Sequence, residues 1–209
     1  MTSTAPLFPM FLKLAGRPCL VVGAGRIGEP KIRSLVECGA IVRVVAPTAT
    51  RGVTEAASRD EFAWWQRAFE VDDLDGVFLV VAATSSREIN HSIYQEAQRR
   101  GVLCNVVDDP PHCDFFYPAV VRRGNFQIAI STGGLSPALA QRVRKQLEVE
   151  FPPVYGSWLE KLAEKRTTLF ERVGDPELRL SLIHKSVAPE AFLQFEQNNL
   201  PQEARKDVL

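Results

Sequence analysis

Short apolar runs alternate with mixed, helix-like stretches over the first half of the chain. Residues 18–22, 41–45, 62–69, 77–83 and 102–107 read as strands. Each is a brief run rich in valine, isoleucine or aromatic residues and bounded by turn formers, which suits strands covered on both faces. Residues 10–14 read as a further short strand, turning at Ala15-Gly16-Arg17. A helix is expected after Gly28, ending at Gly39, a position suited to a left-handed C-terminal cap. Pro30 falls early in that helix, where the N–H groups lack intrahelical partners. Another helix is expected from Ser85 or Ser86 to Arg100, with Gly101 just past its end.

Strands alternating with helices predict an α/β fold with a parallel, Rossmann-type sheet. The pattern changes after Pro111. Residues 116–122 and 126–131 flank Arg123-Gly124-Asn125 and read as a β-hairpin. Ser136-Pro137 is a helix start, a capping hydroxyl followed by proline at the first helical position. Leu139, Val143 and Leu147 share one face of that helix, and Pro152-Pro153 ends it. Residues 154–200 read as two or three further helices, and the polar segment from Gln202 as a frayed end. Three regions result: 1–113 nucleotide-binding, 114–150 around the hairpin, and 151–209 helical.

Composition narrows the function classes. Hydrophobic residues make up 45% of the 209-residue chain and the formal net charge is zero, so the chain is expected to fold and carries no global field toward nucleic acid or a membrane surface. The longest apolar stretch, residues 77–83, is too short to span a bilayer. Residues 1–12 lack a basic start and an apolar core, so they do not read as a signal peptide. Cys19, Cys38, Cys104 and Cys113 form no C-x-x-C pair and read as reduced thiols, which fits a cytoplasmic protein. His91, His112 and His184 show no metal-ligand spacing, and no metal site is expected.

Gly23-Ala24-Gly25-Arg26-Ile27-Gly28 matches G-x-G-x-x-G, with a strand before it and a helix after. Gly23 permits the tight turn, Gly25 lets a pyrophosphate approach the backbone, and Gly28 lets helix and strand pack closely. The helix N-terminus supplies free N–H groups for the phosphates. The alternative is a glycine-rich turn with no ligand. An acid about 20 residues on usually binds the ribose 2′-hydroxyl, but here the chain reads Val45-Ala46-Pro47-Thr48. Thr48 offers a hydrogen bond without a charge. Arg43 and Arg51 leave NADP open, although each also reads as a solvated surface arginine.

Asn105-Val106-Val107-Asp108-Asp109-Pro110 places two carboxylates where a strand runs out, and ligands of open α/β sheets sit beyond that edge. Asp-Asp-Pro-Pro is also ordinary turn chemistry. A partly desolvated carboxylate beside another would hold its proton more tightly and suit proton transfer near neutral pH. Asp108, directly after the strand, is the candidate. The loop Ser131-Thr132-Gly133-Gly134-Leu135-Ser136 enters a helix and reads either as an anion cradle or as a flexible connection. Arg122, Arg123, Arg142, Arg144 and Lys145 make that region locally basic, either as a solvated face or as a cradle for a polyanion.

Taken together, these segments resemble the precorrin-2 dehydrogenase/sirohydrochlorin ferrochelatase family, which includes the N-terminal part of siroheme synthase. The matching pieces are residues 21–28 with Lys31, then 80–84, 104–110, 115–119 and 128–138, in order. The resemblance implies NAD-dependent oxidation of precorrin-2 to sirohydrochlorin, and in some members insertion of Fe²⁺ to give sirohaem. It implies Asp108 as the catalytic carboxylate. NAD would be held by Gly23, Gly25, Arg26, Ile27, Gly28, Pro47, Thr48, Thr84, Asn105 and Val106. The tetrapyrrole, with its many carboxylates, would meet Thr132, Gly133, Gly134, Ser136 and Arg142. It further implies a homodimer joined through residues 114–150, and the stand-alone form, since no methyltransferase segment is matched. Gly28 stands where the family often has alanine, and Pro30 is unusual. The competing reading is a non-catalytic NAD-sensing Rossmann module.

Overall fold

The computed structural model describes residues 6–199, so the polar segment expected from Gln202 lies outside the described residues. The chain divides into two compact units between Tyr117 and Pro118.

The first unit holds β1 (Pro18–Ala24), α1 (Gly28–Glu37), β2 (Ile41–Ala49), α2 (Arg51–Ser58), β3 (Ala63–Trp65), β4 (Leu79–Ala82), α3 (Arg87–Arg100) and β5 (Leu103–Val106). The strands form one sheet in the order β3-β2-β1-β4-β5, every neighbouring pair parallel. Successive side chains of a strand point to opposite faces, and both faces are covered here. Cys19, Val21, Val42, Val44, Leu79 and Val81 pack with Ile32 and Leu35 of α1. Leu20, Val22, Val45, Val80, Ala82 and Cys104 pack with Ile93 and Ala97 of α3. That two-sided burial is why the strands read as unbroken apolar runs rather than alternating ones.

Several element limits differ from the sequence reading. Residues 10–14 are not a strand: Met10 and Phe11 are exposed and only Leu14 is buried, so the run has no sheet edge to join. The run at 62–69 shortens to β3 because the chain then turns to set Arg67 against Asp73, with hydrogen bonds of 2.9 and 2.6 Å. β2 runs on to Ala49, and α2 follows at once, capped by the Thr50 hydroxyl accepting from the Val53 N–H at 3.3 Å. The pattern gave no sign of α2, which buries only Val53. Ser86 caps α3, and both Gly39 and Gly101 have positive φ, as expected.

The second unit holds the hairpin of β6 (Ala119–Arg123) and β7 (Phe126–Ile130), then α4 (Pro137–Glu150), α5 (Val154–Arg172), α6 (Pro176–Ser186) and α7 (Pro189–Asn199). The two-residue turn Gly124-Asn125 closes the hairpin with Arg123 paired to Phe126. Arg123 donates to the carbonyls of Phe151 (2.8 Å) and Glu148 (3.0 Å), satisfying the open C-terminal end of α4. Phe126, Phe151, Tyr155, Trp158 and Phe192 form a ring cluster with centroid separations of 4.5–5.7 Å. On α4, Ala140 is buried while Leu139 is exposed, so the expected apolar face is turned by one residue.

Candidate functional site

Val22, Ala82 and Val106 lie in register across β1, β4 and β5. The glycine loop, the Ala83-Thr84 segment and the Asp108 turn therefore leave the parallel sheet at the same edge, its carboxyl edge. Strand direction alone brings together the two features that the sequence left far apart.

The three loop glycines differ in what surrounds them. Gly23 has φ 103°, and a Cβ there would lie 2.4 Å from the carbonyl oxygen of Ala83, so only glycine fits against the end of β4. A Cβ on Gly28 would lie 2.1 Å from the carbonyl oxygen of Gly23, which brings α1 hard against the loop. A Cβ on Gly25 would meet nothing within 4 Å, so this is the open position, where a phosphate could approach the backbone. The arrangement fits a dinucleotide cradle. Arg26 and Ile27 are exposed beside it, and Pro47 and Thr48 are exposed at the end of β2.

A carboxylate does reach the end of β2, but from another element. Glu29, in the first turn of α1, accepts from the Thr50 hydroxyl at 2.6 Å, and Arg33 pairs with it at 3.1 Å. A Cβ on Gly52 would lie 2.3 Å from a Glu29 oxygen, so the glycine makes room for this carboxylate. The usual spacing rule misses it because the acid precedes β2 in the chain. Of the two arginines that left NADP open, Arg51 is exposed and paired with Glu55. Arg43 is not a solvated surface arginine: it donates to the carbonyls of Asp73 (3.1 Å) and Asp75 (3.2 Å).

Asp108 sits in a turn closed by the Asp109 N–H on the carbonyl of Val106 at 3.2 Å, and has φ 60°. This left-handed conformation is rare outside glycine, asparagine and aspartate, and such strain is retained only where the surroundings impose it. The carboxylate is exposed, which corrects the expectation of a desolvated pair. Asp109 is turned to a different partner, the His112 ring, whose Nδ1 lies 2.8 Å from its oxygen. His112 packs edge-on against His91 (5.0 Å between centroids) and Tyr94 (4.7 Å), a grouping invisible in sequence. Among the described residues no group of three His, Cys, Asp or Glu could hold a metal ion.

The remaining edge residues serve to hold the loops. The Asn105 amide donates to the Phe115 carbonyl (2.8 Å) and the Cys113 sulfur (3.3 Å). Cys113 donates to the carbonyl of Val106 at 3.1 Å, and Val106 itself is buried. The Thr84 hydroxyl bonds Asn90 Oδ1 at 2.7 Å, locking the entry to α3. All four cysteines are free; burial pushes the Cys19 thiol up to about 11 and the Cys104 thiol up to about 12.

Lys31, on α1, is brought against the Asp108 edge by the fold. Its Nζ lies 3.5 Å from the centre of the Tyr117 ring, and the Asp108 charge acts on it. Burial pulls the ammonium below its usual range, with Asp108 opposing that shift.

In the second unit, Gly133 (φ 60°) and Gly134 (φ 80°) shape the loop before α4. The Gly133 N–H goes to Ser131 Oγ (3.1 Å), the Leu135 N–H to the Thr132 carbonyl (3.1 Å) and the Ser136 N–H to Thr132 Oγ1 (3.2 Å). Ser136 caps α4 through the Leu139 N–H at 3.3 Å. The loop is thus largely satisfied from within, while the Arg142 side chain is exposed.

Known proteins are similar to this chain in both sequence and fold. Residues 10–119 match the family model described as putative NAD(P)-binding, and residues 123–150 match that of the sirohaem biosynthesis protein central region. Siroheme synthase of Photorhabdus laumondii subsp. laumondii is 37% identical over 171 residues, covering 78% of this chain and 36% of its own length. The Methylococcus capsulatus siroheme synthase is also 37% identical over 171 residues, covering 82% of this chain and 36% of its own length. The chain thus spans about a third of the length of these curated relatives. The solved structure of SirC, a precorrin-2 dehydrogenase, superposes with a TM-score of 0.77 at 25% identity, covering 92% of this chain and 98% of that one.

Proposed function

Because the chain belongs to the siroheme synthase family, matching its putative NAD(P)-binding and central regions, we propose that it oxidises precorrin-2 to sirohydrochlorin with NAD⁺. The observation that carries this reading is the shared sheet edge: an open glycine cradle at Gly25 and the carboxylate of Asp108 leave the same side of one parallel sheet.

In this reading Gly23, Gly25 and Gly28, with Arg26 and Ile27, receive the pyrophosphate at the N-terminus of α1. Pro47 and Thr48 border the adenosine side, and Thr84, Asn105 and Val106 border the nicotinamide side. The nicotinamide ring supplies the hydride acceptor when bound. Asp108 takes the proton released as the tetrapyrrole loses a hydride, so that precorrin-2 and NAD⁺ give sirohydrochlorin, NADH and one proton. NAD rather than NADP is favoured by the Glu29 carboxylate at the end of β2, which would repel a 2′-phosphate. Thr132, Gly133, Gly134, Ser136 and Arg142 are proposed to meet the substrate's carboxylates.

A homodimer in the cytoplasm is the proposed working form. The second unit leaves Leu135 91% and Val149 83% exposed, apolar surface that a second copy would cover. No helix among the described residues is long and apolar enough to cross a membrane.

The test is to mix the protein with NAD⁺ and precorrin-2 and follow NADH absorbance. NADH formation with sirohydrochlorin appearing in step supports the reading. NAD⁺ binding without consumption would replace it with a nucleotide-sensing module. Iron insertion is assayed separately, with Fe²⁺ and sirohydrochlorin in the absence of NAD⁺; there Asp108 would accept the pyrrole protons.

A further inference from the structure

We infer that Lys31 is a substrate-binding residue whose ammonium receives a side-chain carboxylate of the tetrapyrrole at the mouth of the site, next to Asp108. The inference rests on the reading above and deepens it by naming a contact within the first unit.

The geometry is that of a prepared cation without its anion. Lys31 is the fourth residue of α1 and is half-buried. Its Nζ is set over the Tyr117 ring at 3.5 Å, a contact that fixes the ammonium in place by attraction to the ring face. Tyr117 is itself held against Phe115, with centroids 5.8 Å apart. No hydrogen bond or ion pair to Lys31 occurs among the described residues, although an ammonium carries three donors. Such a group is costly to bury unless something pairs with it.

The surrounding charges leave that place to a ligand. Asp108 is near enough for its charge to act on Lys31, yet the two form no contact pair. Asp109 is held by His112, and Glu29 by Thr50 and Arg33. The nearby carboxylates are thus either engaged elsewhere or held short of contact. A ligand with an apolar ring face and pendant carboxylates suits this combination: the ring meets the aromatic wall, and the carboxylate takes the free donors. With the Asp108 charge acting on Lys31, the substrate would be anchored at Lys31 and deprotonated at Asp108.

The test titrates sirohydrochlorin, and separately NAD⁺, into wild type, Lys31→Met and Lys31→Arg. Loss of one charge-assisted hydrogen bond should weaken sirohydrochlorin binding roughly ten- to hundredfold in Lys31→Met. Lys31→Arg should keep most of the affinity, and wild-type binding should fall more steeply with salt than binding to Lys31→Met. NAD⁺ binding, unchanged in both variants, reports that the fold is intact. Equal sirohydrochlorin affinity in wild type and Lys31→Met overturns the Lys31 assignment and leaves the dehydrogenase reading standing. A wild-type protein that binds NAD⁺ but no sirohydrochlorin overturns both.

Discussion

Thr50 donates its hydroxyl to Glu29 across 2.6 Å, tying the residue that follows β2 to the first turn of α1. Through this bond a carboxylate is held beside the end of β2, the strand after which dinucleotide-binding sheets usually carry a ribose-reading acid, although residues 45–50 contain none. Glu29→Gln keeps a side chain that can accept from Thr50 and removes the charge. NADP⁺ binding should strengthen relative to NAD⁺ by roughly tenfold, about 1.4 kcal/mol. Parallel titrations with the two nucleotides measure it; an unchanged preference would show that Glu29 only joins the two helices.

Asp108→Asn should slow NADH formation by roughly 10²- to 10⁴-fold, the usual contribution of a positioned acid or base. Asparagine tolerates the left-handed φ of 60° at this position, so the variant should fold normally and bind NAD⁺ as before. Steady-state turnover and nucleotide titration separate the two effects, and wild-type turnover in the variant would remove Asp108 from its proposed role.

Gly23→Ala and Gly25→Ala should fail in different ways. At Gly23 the added methyl meets the Ala83 carbonyl at 2.4 Å and the φ of 103° is strained, so stability should fall by more than about 2 kcal/mol. At Gly25 the methyl meets no protein atom, so unfolding should be nearly unchanged while NAD⁺ affinity drops by about tenfold or more, about 1.4 kcal/mol. Denaturant unfolding alongside nucleotide titration distinguishes a structural glycine from one that leaves room for a ligand.

Arg67 and Asp73 make a testable stability pair. The Asp73 side chain is 2% exposed and that of Arg67 37%. Burial pushes the Asp73 carboxyl up, but hydrogen bonds from Arg67 and from the Glu70 N–H, with the Arg67 and Arg43 charges, hold it below its ordinary 3.8. A depressed carboxyl contributes stability that is present above pH 3.8 and is lost as pH falls through its lowered value. Arg67→Ala leaves Asp73 buried without its main partner and should cost about 2 kcal/mol at neutral pH, allowing for the exposure of Arg67. That difference should shrink as the solution is acidified below pH 3.8, which urea unfolding across a pH series would show.

The parts of the fold that were legible are those where a local pattern meets a strong rule. β1, β4 and β5 stood out because burial on both faces demands unbroken apolar runs, and α3 because Ser86 and Gly101 mark its ends. α2 was missed because a short helix buried by Val53 alone leaves almost no periodicity. Residues 10–14 misled because an apolar run reads as a strand whether or not a sheet edge is free to pair with it.

The alternation of strands and helices, the glycine loop and the position of Asp108 directly after an apolar run were legible in the chain, since each depends on residues close together in it. Which distant groups meet depended on how those elements pack. That packing set Glu29 against Thr50, Lys31 over Tyr117, His112 against His91 and Arg67 against Asp73. The reason is physical: strand and helix propensities act over a few neighbouring residues, whereas hydrogen bonds, ring contacts and charges act through space and depend on how the packed elements are finally oriented.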